Sequence, residues 1–428
     1  MSPEWKRILS WSLYDFGNSA FATTVMAGLF PLFFKEFWSA GVDVTESTFK
    51  LGLANSLSGL LVVLFAPFLG AIADRGQAKK SLLFFFTGLG CLMTIALYFV
   101  GQGGWFLAAA FFIAGTVGFS GGNIFYDALI LDVVREDNID FVSALGYSLG
   151  YLGGGILFTF NVIIILKPGL FGLMDKTQAI RFSFLTVGIW WALFTIPLLL
   201  WVKEKQRAGR RSWILTVKGA MSQLAETFSR VRHLKVVSLF LLGYWLYIDG
   251  VYTIIRMAVD YGISIGLDSN RLILALLMVQ FVGFPAALIF GKLGQRAGPK
   301  IGIYIGITVY VFMTVWAYRM DSEAEFFAMA VSIGLVQGGI QSLSRSYYAR
   351  IIPQSQSAEF FGFYNMVGKF AAVFGPLLVG WTALITGDPR KGIFSITVLL
   401  LLGSVFLFFV DEKEGREMAK PMEEESAG

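Results

Sequence analysis

Cysteine and histidine are almost absent from this chain of 428 residues, which has one of each, Cys91 and His233. A single cysteine excludes an intramolecular disulfide, and a lone histidine in a basic stretch is read as a solvated side chain. The sequence also has no cluster of metal ligands, no catalytic nucleophile constellation and no G-x-x-x-x-G-K-[ST] pattern for nucleotide phosphates. It therefore predicts no enzyme, no metal, no cofactor and no ATP-driven pump.

Charged residues are scarce as well: they make up 15% of the chain, against about 25% in a soluble domain, and hydrophobic residues make up 56%. The apolar runs do not alternate with a period of two residues, which excludes the strands of an outer-membrane barrel. Their length suits helices that cross a hydrocarbon core of about 30 Å. The predicted fold is an all-α membrane protein with twelve transmembrane helices, at about 8–34, 50–73, 81–101, 105–131, 142–166, 181–202, 236–258, 270–291, 301–319, 324–348, 359–381 and 392–410.

Lysine and arginine concentrate at the chain ends and in alternate connections between the predicted spans. The positive-inside rule then places both termini in the cytoplasm, and the net charge of +5 reflects topology rather than nucleic-acid binding. The first apolar run is too long for a cleavable signal peptide, so we expect it to remain as the first helix. The expected location is the inner membrane of a bacterium, as a multi-pass monomer surrounded by lipid.

One long polar segment, 203–235, divides the predicted spans into six and six. Apolar residues recur within it near helical spacing, which predicts an amphipathic helix on the inner leaflet, with a solvated linker as the alternative. The predicted organisation is an N-terminal bundle at 1–202, a cytoplasmic linker at 203–235, a C-terminal bundle at 236–410 and an acidic cytoplasmic tail at 411–428.

An internal repeat relates the two halves. "GAIADRGQAKK" from Gly70 aligns with "GKLGQRAGPK" from Gly291, and a similar offset places Asp127 on Arg345 and Asp132 on Arg350. Each half therefore reads as one copy of a duplicated six-helix unit, and the two copies cross the membrane in the same direction.

The repeated pattern, close to G-x-x-x-D-R-x-G-x-[RK], together with twelve helices and a basic central segment, resembles the major facilitator superfamily. Within it, "YDFGNSAFATTV", "QGGIQSLSRS" and "EFFGFYNMVGKFAAVFGP" are similar to the branch that contains the autophagy-related vacuolar amino-acid effluxers of fungi and their bacterial relatives. The resemblance implies two pseudo-symmetric six-helix bundles that rock about a central site lined by helices 1, 4, 7 and 10.

The two copies of the pattern differ in their charges. The first keeps the acid, Asp74, and has Gln77 in place of the glycine, whereas the second keeps Gly298 and has Gln295 in place of the acid. We therefore expect Asp74 and Arg75 to form the conformational latch, with a weaker counterpart at Arg296.

Ionisable groups within a membrane are costly and are functional candidates by default. Asp249 lies deep in the seventh span, and Trp245 with Asp249 repeats the Trp-x-x-x-Asp element of Trp11 with Asp15. Both acids are predicted to carry protons or anchor substrate, facing each other from opposite bundles. The alternative is a buried polar group bonded to a neighbouring helix or, for Asp15, a carboxylate close enough to the cytosol to be hydrated.

Four further charged residues each have two alternative interpretations. Arg256 either binds a substrate carboxylate or reaches the headgroups, and Lys369 is either a proton-coupled partner or part of a structural ion pair. Asp127 and Arg345 occupy matched positions near the inner ends of helices 4 and 10. They are predicted to form a gate pair on the cytoplasmic side, with a surface-facing position as the alternative.

Polar and aromatic side chains in the same spans are predicted to line a cavity for a small organic solute; they include Tyr14, Asn18, Trp245, Tyr252 and Gln341. The leading interpretation is a secondary transporter of a small metabolite, an amino acid or similar zwitterion, working by alternating access with protons as coupling ion. The alternatives are an exporter of drugs or other amphiphiles, and a non-transporting receptor or scaffold acting through its central loop and tail.

Overall fold

The computed structural model describes residues 2–76, 78–204, 234–264 and 269–427, and these residues form helices joined by short connections. Twelve helices are long and apolar enough to cross a membrane, and each coincides with one predicted span. They are α1 Pro3–Trp38, α2 Val44–Gly76, α3 Lys79–Ala96, α4 Trp105–Val133, α5 Ile139–Leu166, α6 Lys176–Trp201, α7 Lys235–Ser264, α8 Ser269–Ala297, α9 Pro299–Ala317, α10 Glu323–Ile351, α11 Ser357–Thr386 and α12 Pro389–Phe408.

Helix ends follow local sequence signals. The Ser2 hydroxyl accepts the Trp5 N–H at the start of α1, and Ser322 and Glu325 form a reciprocal capping box at the start of α10. Gly298, before α9, has a φ of 86°, a conformation that favours glycine. This is why the second repeat copy carries a glycine at that position.

The first helix is longer than predicted and is not uniformly α-helical. It continues to Trp38, and its segments Phe21–Leu29 and Phe34–Trp38 are π-helical. Such wider turns are rare in proteins and often occur near functional sites.

The helices pack as two bundles related by pseudo-symmetry. In the first bundle α1 packs on α5 and α6, α3 on α4 and α6, and α2 on α4; α7 to α12 make the corresponding contacts in the second. Between the bundles, α2 packs on α11 and α5 on α8, again as a matched pair. The repeat in the sequence is thus a repeat in packing. The amphipathic helix expected within 203–235 lies outside the described residues.

Glycines allow the closest approaches between the bundles. A Cβ atom on Gly70 of α2 would lie 2.2 Å from the Ala358 carbonyl oxygen of α11, and one on Gly291 of α8 would lie 2.5 Å from the Ala144 side chain of α5. Gly70 and Gly291 are also aligned in the repeat. Each copy therefore uses the same glycine to bring its second helix against the opposite bundle.

The acidic tail forms one more helix in the described part of the chain, α13 Glu412–Ala427. Glu412 pairs with Arg350 of α10 at 3.4 Å, and Arg416 pairs with Glu136, before α5, at 2.6 Å. With twelve crossings, this helix lies on the same side of the membrane as the start of α1, which we call the terminal side. On that side α13 contacts both bundles.

Replacing Gly70 by alanine should hinder closure of the terminal side, because the added methyl group meets helix backbone rather than a flexible side chain. We expect reduced thermal stability and increased labelling of a cysteine placed at Ser357 by a membrane-impermeant maleimide. Gly59→Ala is the matched control on α2, since nothing lies within 4 Å of a Cβ there. Equal labelling in both variants would contradict this role of Gly70.

Candidate functional site

The centre of the candidate site is Arg345 of α10, whose side chain is 2% exposed. Its Nη1 lies 3.0 Å from Oδ1 of Asp127 on α4 and 3.7 Å from Oδ2 of Asp15 on α1. Arg345 lies about 9 Å of helix from the terminal-side end of α10. The pair of Asp127 and Arg345, aligned in the repeat, therefore joins the two bundles within the membrane.

Ser143 on α5 holds the same guanidinium. Arg345 donates from Nε to the Ser143 hydroxyl at 2.9 Å and from Nη2 to the Ser143 carbonyl oxygen at 2.8 Å. The Ser143 hydroxyl in turn donates to the carbonyl oxygen of Ser342 on α10 at 2.7 Å. The planar donor set of arginine is thus bound in a fixed orientation.

Aromatic rings enclose the remaining faces of the guanidinium. Its carbon lies 5.0 Å from the Trp11 ring centroid, 5.4 Å from that of Tyr126 and 4.5 Å from that of Tyr147. At these distances a cation is attracted to the ring face. Sequence reasoning missed Ser143 and Tyr147; the only available signal was their spacing of one helical turn on α5.

Asp15 is oriented by its neighbours on α4 and is partly accessible. The Tyr126 hydroxyl donates to its Oδ2 at 2.8 Å, and 13% of the Asp15 side chain is exposed. The second oxygen of Asp127 accepts a hydrogen bond from Asn365 of α11 at 3.2 Å. The Asp127 side chain is 10% exposed, so both acids beside Arg345 keep a small accessible surface.

Asp249 has a different environment from Asp15. Its carboxylate accepts the backbone N–H of Gly375 on α11, at 3.0 and 2.9 Å to its two oxygens, and the Thr253 hydroxyl at 3.3 Å. Gly375 precedes Pro376, which lacks an N–H and interrupts the helical hydrogen bonds of α11. The two acids thus have different partners: Asp249 binds α11, and Asp15 binds α4 and α10.

The matched tryptophans also differ. Trp11 donates from Nε1 to the Tyr126 carbonyl oxygen at 2.9 Å, whereas Trp245 packs edge-on against Phe374, and its Nε1 has no hydrogen-bond partner among the described residues. The Trp-x-x-x-Asp element is therefore repeated in sequence and put to different use in the two bundles.

The predicted cavity residues are distributed between bundle interior and interface. Tyr14 is fully buried on α1, with its hydroxyl 3.0 Å from that of Thr87 on α3, and Asn18 donates to Asn123 at 2.7 Å. Both contacts lie inside the first bundle. Gln341 of α10 accepts the Tyr151 hydroxyl of α5 at 3.3 Å and so lies between the bundles.

The remaining predicted residues differ in their exposure. Tyr252, Trp245 and Lys369 are half-buried, and Arg296 is exposed at the end of α8. The side chains of Arg75 and Arg256 lie outside the part of the structure that is described.

Asp74 joins the bundles at the end of α2. Its Oδ2 accepts the backbone N–H of Glu359 in the first turn of α11 at 2.8 Å, which places a carboxylate at the positive end of that helix. Lys79 lies 3.6 Å from Asp74 and 3.3 Å from Asp132, and donates to Ser357 at 2.7 Å. The predicted latch residue is thus part of a buried charge cluster that spans the interface.

The second copy makes a neutral version of this contact. Gln295, aligned with Asp74, donates to Asn138 at 2.9 Å, next to the start of α5. An ion pair lies beside this neutral contact: Arg350 pairs with the fully buried Asp140 at 2.6 Å. The last turn of the second helix in each copy therefore contacts the opposite bundle, through the charged Asp74 in one copy and the neutral Gln295 in the other.

Comparison with known proteins identifies the family of this chain. A family model described as vacuole effluxer Atg22-like matches residues 4–140 and 136–420. The chain belongs to this Atg22-like family. The uncharacterized MFS-type transporter YxiO of Bacillus subtilis (strain 168) is 38% identical over 413 residues, covering 96% of both chains. Autophagy-related protein 22 of Yarrowia lipolytica (strain CLIB 122 / E 150) is 25% identical over 473 residues, covering 90% of this chain and 79% of that protein.

Solved structures share the fold of this Atg22-like chain. The proton:xylose symporter XylE aligns with a TM-score of 0.71 at 13% identity over 98% of both chains. The major facilitator superfamily transporter FucP, in the outward conformation, aligns with a TM-score of 0.69 at 13% identity, over 96% of this chain and 99% of that one. The protein is therefore a membrane transporter with the major facilitator fold and not an enzyme, as the sequence predicted.

Arg345→Gln should destabilise the purified protein by about 3–5 kcal/mol, because it leaves two buried carboxylates without their cation. Adding Asp127→Asn to this variant should recover at least about 1 kcal/mol, a coupling that a double-mutant cycle measures. Reversible denaturation in detergent provides the free energies.

The matched control is Arg390→Gln, which breaks an ion pair with Asp321, a residue whose side chain is 75% exposed. An exposed pair contributes about 0–1 kcal/mol. A similar loss in both single variants would show that Arg345 is not the buried centre of the interface.

Proposed function

We propose that this transporter carries a small organic metabolite, an amino acid or similar zwitterion, by alternating access coupled to protons. The observation that carries the proposal is the buried guanidinium of Arg345 between Asp15 and Asp127 at the bundle interface. This centre offers both signs of charge within one small region of the membrane. A zwitterion needs both, whereas an apolar amphiphile needs neither, which favours a metabolite over a drug-like solute.

Alternating access follows from where these contacts lie. Arg345 belongs to the second bundle and its partners to the first, and Asp74 binds across the same interface near the terminal side. Opening that side must break these contacts together. In the reverse movement these contacts form again, so closure of the terminal side requires that Arg345 pairs with its carboxylates again.

Substrate recognition is assigned by charge. The three ionised groups Asp15, Asp127 and Arg345 sum to one negative charge, so the centre accepts one positive charge, either an ammonium group or a proton. Asp15, with part of its surface accessible, is the anchor for the ammonium group. A substrate carboxylate would compete with Asp127 for Arg345, and Arg256 and Lys369 remain further candidates for binding it.

Asp249 is the proposed proton carrier. It is 1% exposed and binds the backbone of α11 where Pro376 interrupts that helix. Protonation would weaken the hydrogen bond that a charged carboxylate accepts from Gly375. Protonation of Asp249 on α7 would in this way weaken the contact between α7 and α11.

We place the terminal side in the cytoplasm because the excess of lysine and arginine lies there. In a bacterium this corresponds to the plasma membrane, and the similarity to YxiO of Bacillus subtilis supports a bacterial setting. The state described here, with its interface contacts formed on the terminal side, would then be closed to the cytoplasm. We expect a monomer.

Uptake into reconstituted vesicles tests the substrate class. We expect at least one labelled amino acid to accumulate from a panel that also contains peptides, and accumulation to depend on an imposed pH gradient. Empty vesicles measure leakage. Failure of every amino acid to move in either direction would exclude the proposed substrate class.

Asp249→Asn tests the proton carrier. An amide oxygen still accepts the Gly375 N–H but the side chain no longer titrates, so we expect gradient-driven accumulation to be lost while counterflow exchange persists. Asp321→Asn, which neutralises an exposed carboxylate, is the control. Full accumulation by Asp249→Asn would assign the proton to another group.

A further inference from the structure

Every contact described for the Arg345 guanidinium comes from the opposite bundle: from α1, α4 and α5, while Arg345 itself lies on α10. The side chain therefore occupies the first bundle as a bound ligand would. We propose that this pocket is a binding site for organic cations, which the ammonium or guanidinium group of a solute occupies when Arg345 withdraws.

The walls of the pocket have the chemistry that binds such cations. Trp11 and Tyr126 stack with ring centroids 4.3 Å apart, and the Tyr147 ring centroid lies 4.5 Å from the guanidinium carbon. Aromatic enclosures of this kind recognise ammonium groups through the negative faces of their rings. Since all three rings belong to the first bundle, withdrawal of Arg345 leaves them together.

The polar side of the pocket is equally preformed. The Tyr126 hydroxyl holds Asp15, and the Ser143 carbonyl oxygen accepts from Arg345 at 2.8 Å. Asp127 also stays with the first bundle, whereas its second donor, Asn365, lies on α11 and leaves with the second bundle. Separation thus leaves two carboxylates and a carbonyl oxygen aimed at a space the size of a guanidinium group.

Leaving that space without a cation carries a high free-energy cost. Two carboxylates within a membrane repel each other and are poorly solvated once the Arg345 guanidinium, which pairs with both, leaves them. A solute cation restores the charge balance, and a neutral or anionic solute does not. The inference rests on the alternating access proposed above and places the positively charged nitrogen of the solute in the pocket that Arg345 occupies here.

The test empties the pocket by mutation. In purified full-length Arg345→Ala, methylguanidinium should raise the unfolding temperature saturably, while its neutral analogue methylurea should not. Wild-type protein, whose pocket is filled, should show no such saturable shift. Adding Tyr147→Leu should weaken the apparent affinity about 5- to 30-fold, the range expected for a desolvated cation and ring. Tyr318→Leu, at an exposed tyrosine, should leave it unchanged.

Equal responses of wild type and Arg345→Ala, or of methylguanidinium and methylurea, would overturn the proposal. If Arg345→Ala does not fold, Arg345→Gln replaces it, and rescue of its folding by methylguanidinium during purification counts as support. If neither variant folds under any condition, the test moves to wild-type vesicles. Inhibition of substrate exchange there by methylguanidinium but not methylurea, weakened by Tyr147→Leu, supports the site, and equal inhibition by both refutes it.

The thermal-shift assay on the Arg345 variants needs no transport, so its failure differs from failure of the proposed function. Saturable binding by Arg345→Ala without uptake of any amino acid would preserve the cation site and reject the amino-acid substrate. Amino-acid uptake without binding would reject the cation site alone.

Discussion

The structure depends on one constraint: the guanidinium of Arg345 is removed from water and must pair with carboxylates of the opposite bundle. A buried ion whose partner is removed costs several kcal/mol, so the pair with Asp127 cannot simply be left open. Association of the bundles on the terminal side and neutralisation of this charge are consequently the same event. Any solute or proton that changes the charge of Asp15 or Asp127 also changes the stability of the closed interface.

The contacts around this centre strengthen the same coupling. Asp74 binds the first turn of α11, and Arg350 binds Asp140 beside the start of α5. Glycines at the matched positions Gly70 and Gly291 bring the backbones close enough for these pairs to form. The terminal side is therefore held by several charged contacts between the bundles.

Duplication explains the symmetry of packing but not the distribution of charge. Helices α2 and α8 contact the opposite bundle in the same way, yet Asp74 in one copy corresponds to the neutral Gln295 in the other. Similarly, Trp11 and Asp15 meet the central guanidinium, whereas Asp249 binds the backbone of α11. The two copies share their helix contacts and differ in their polar chemistry.

The sequence alone determined the class of protein, the twelve helices and the two-fold repeat, because hydrophobic length and periodicity are local properties of the chain. Alignment of the repeat also brought Asp127 and Arg345 to matched positions, and the structure joins them. Only the tertiary structure decided which groups surround the guanidinium. Ser143 and Tyr147 are ordinary helix residues until α5 is packed against α10, and Asp249 resembles Asp15 until α11 is placed beside it. Which face of a membrane helix meets which neighbour is set by interactions between bundles, and these depend on the whole fold.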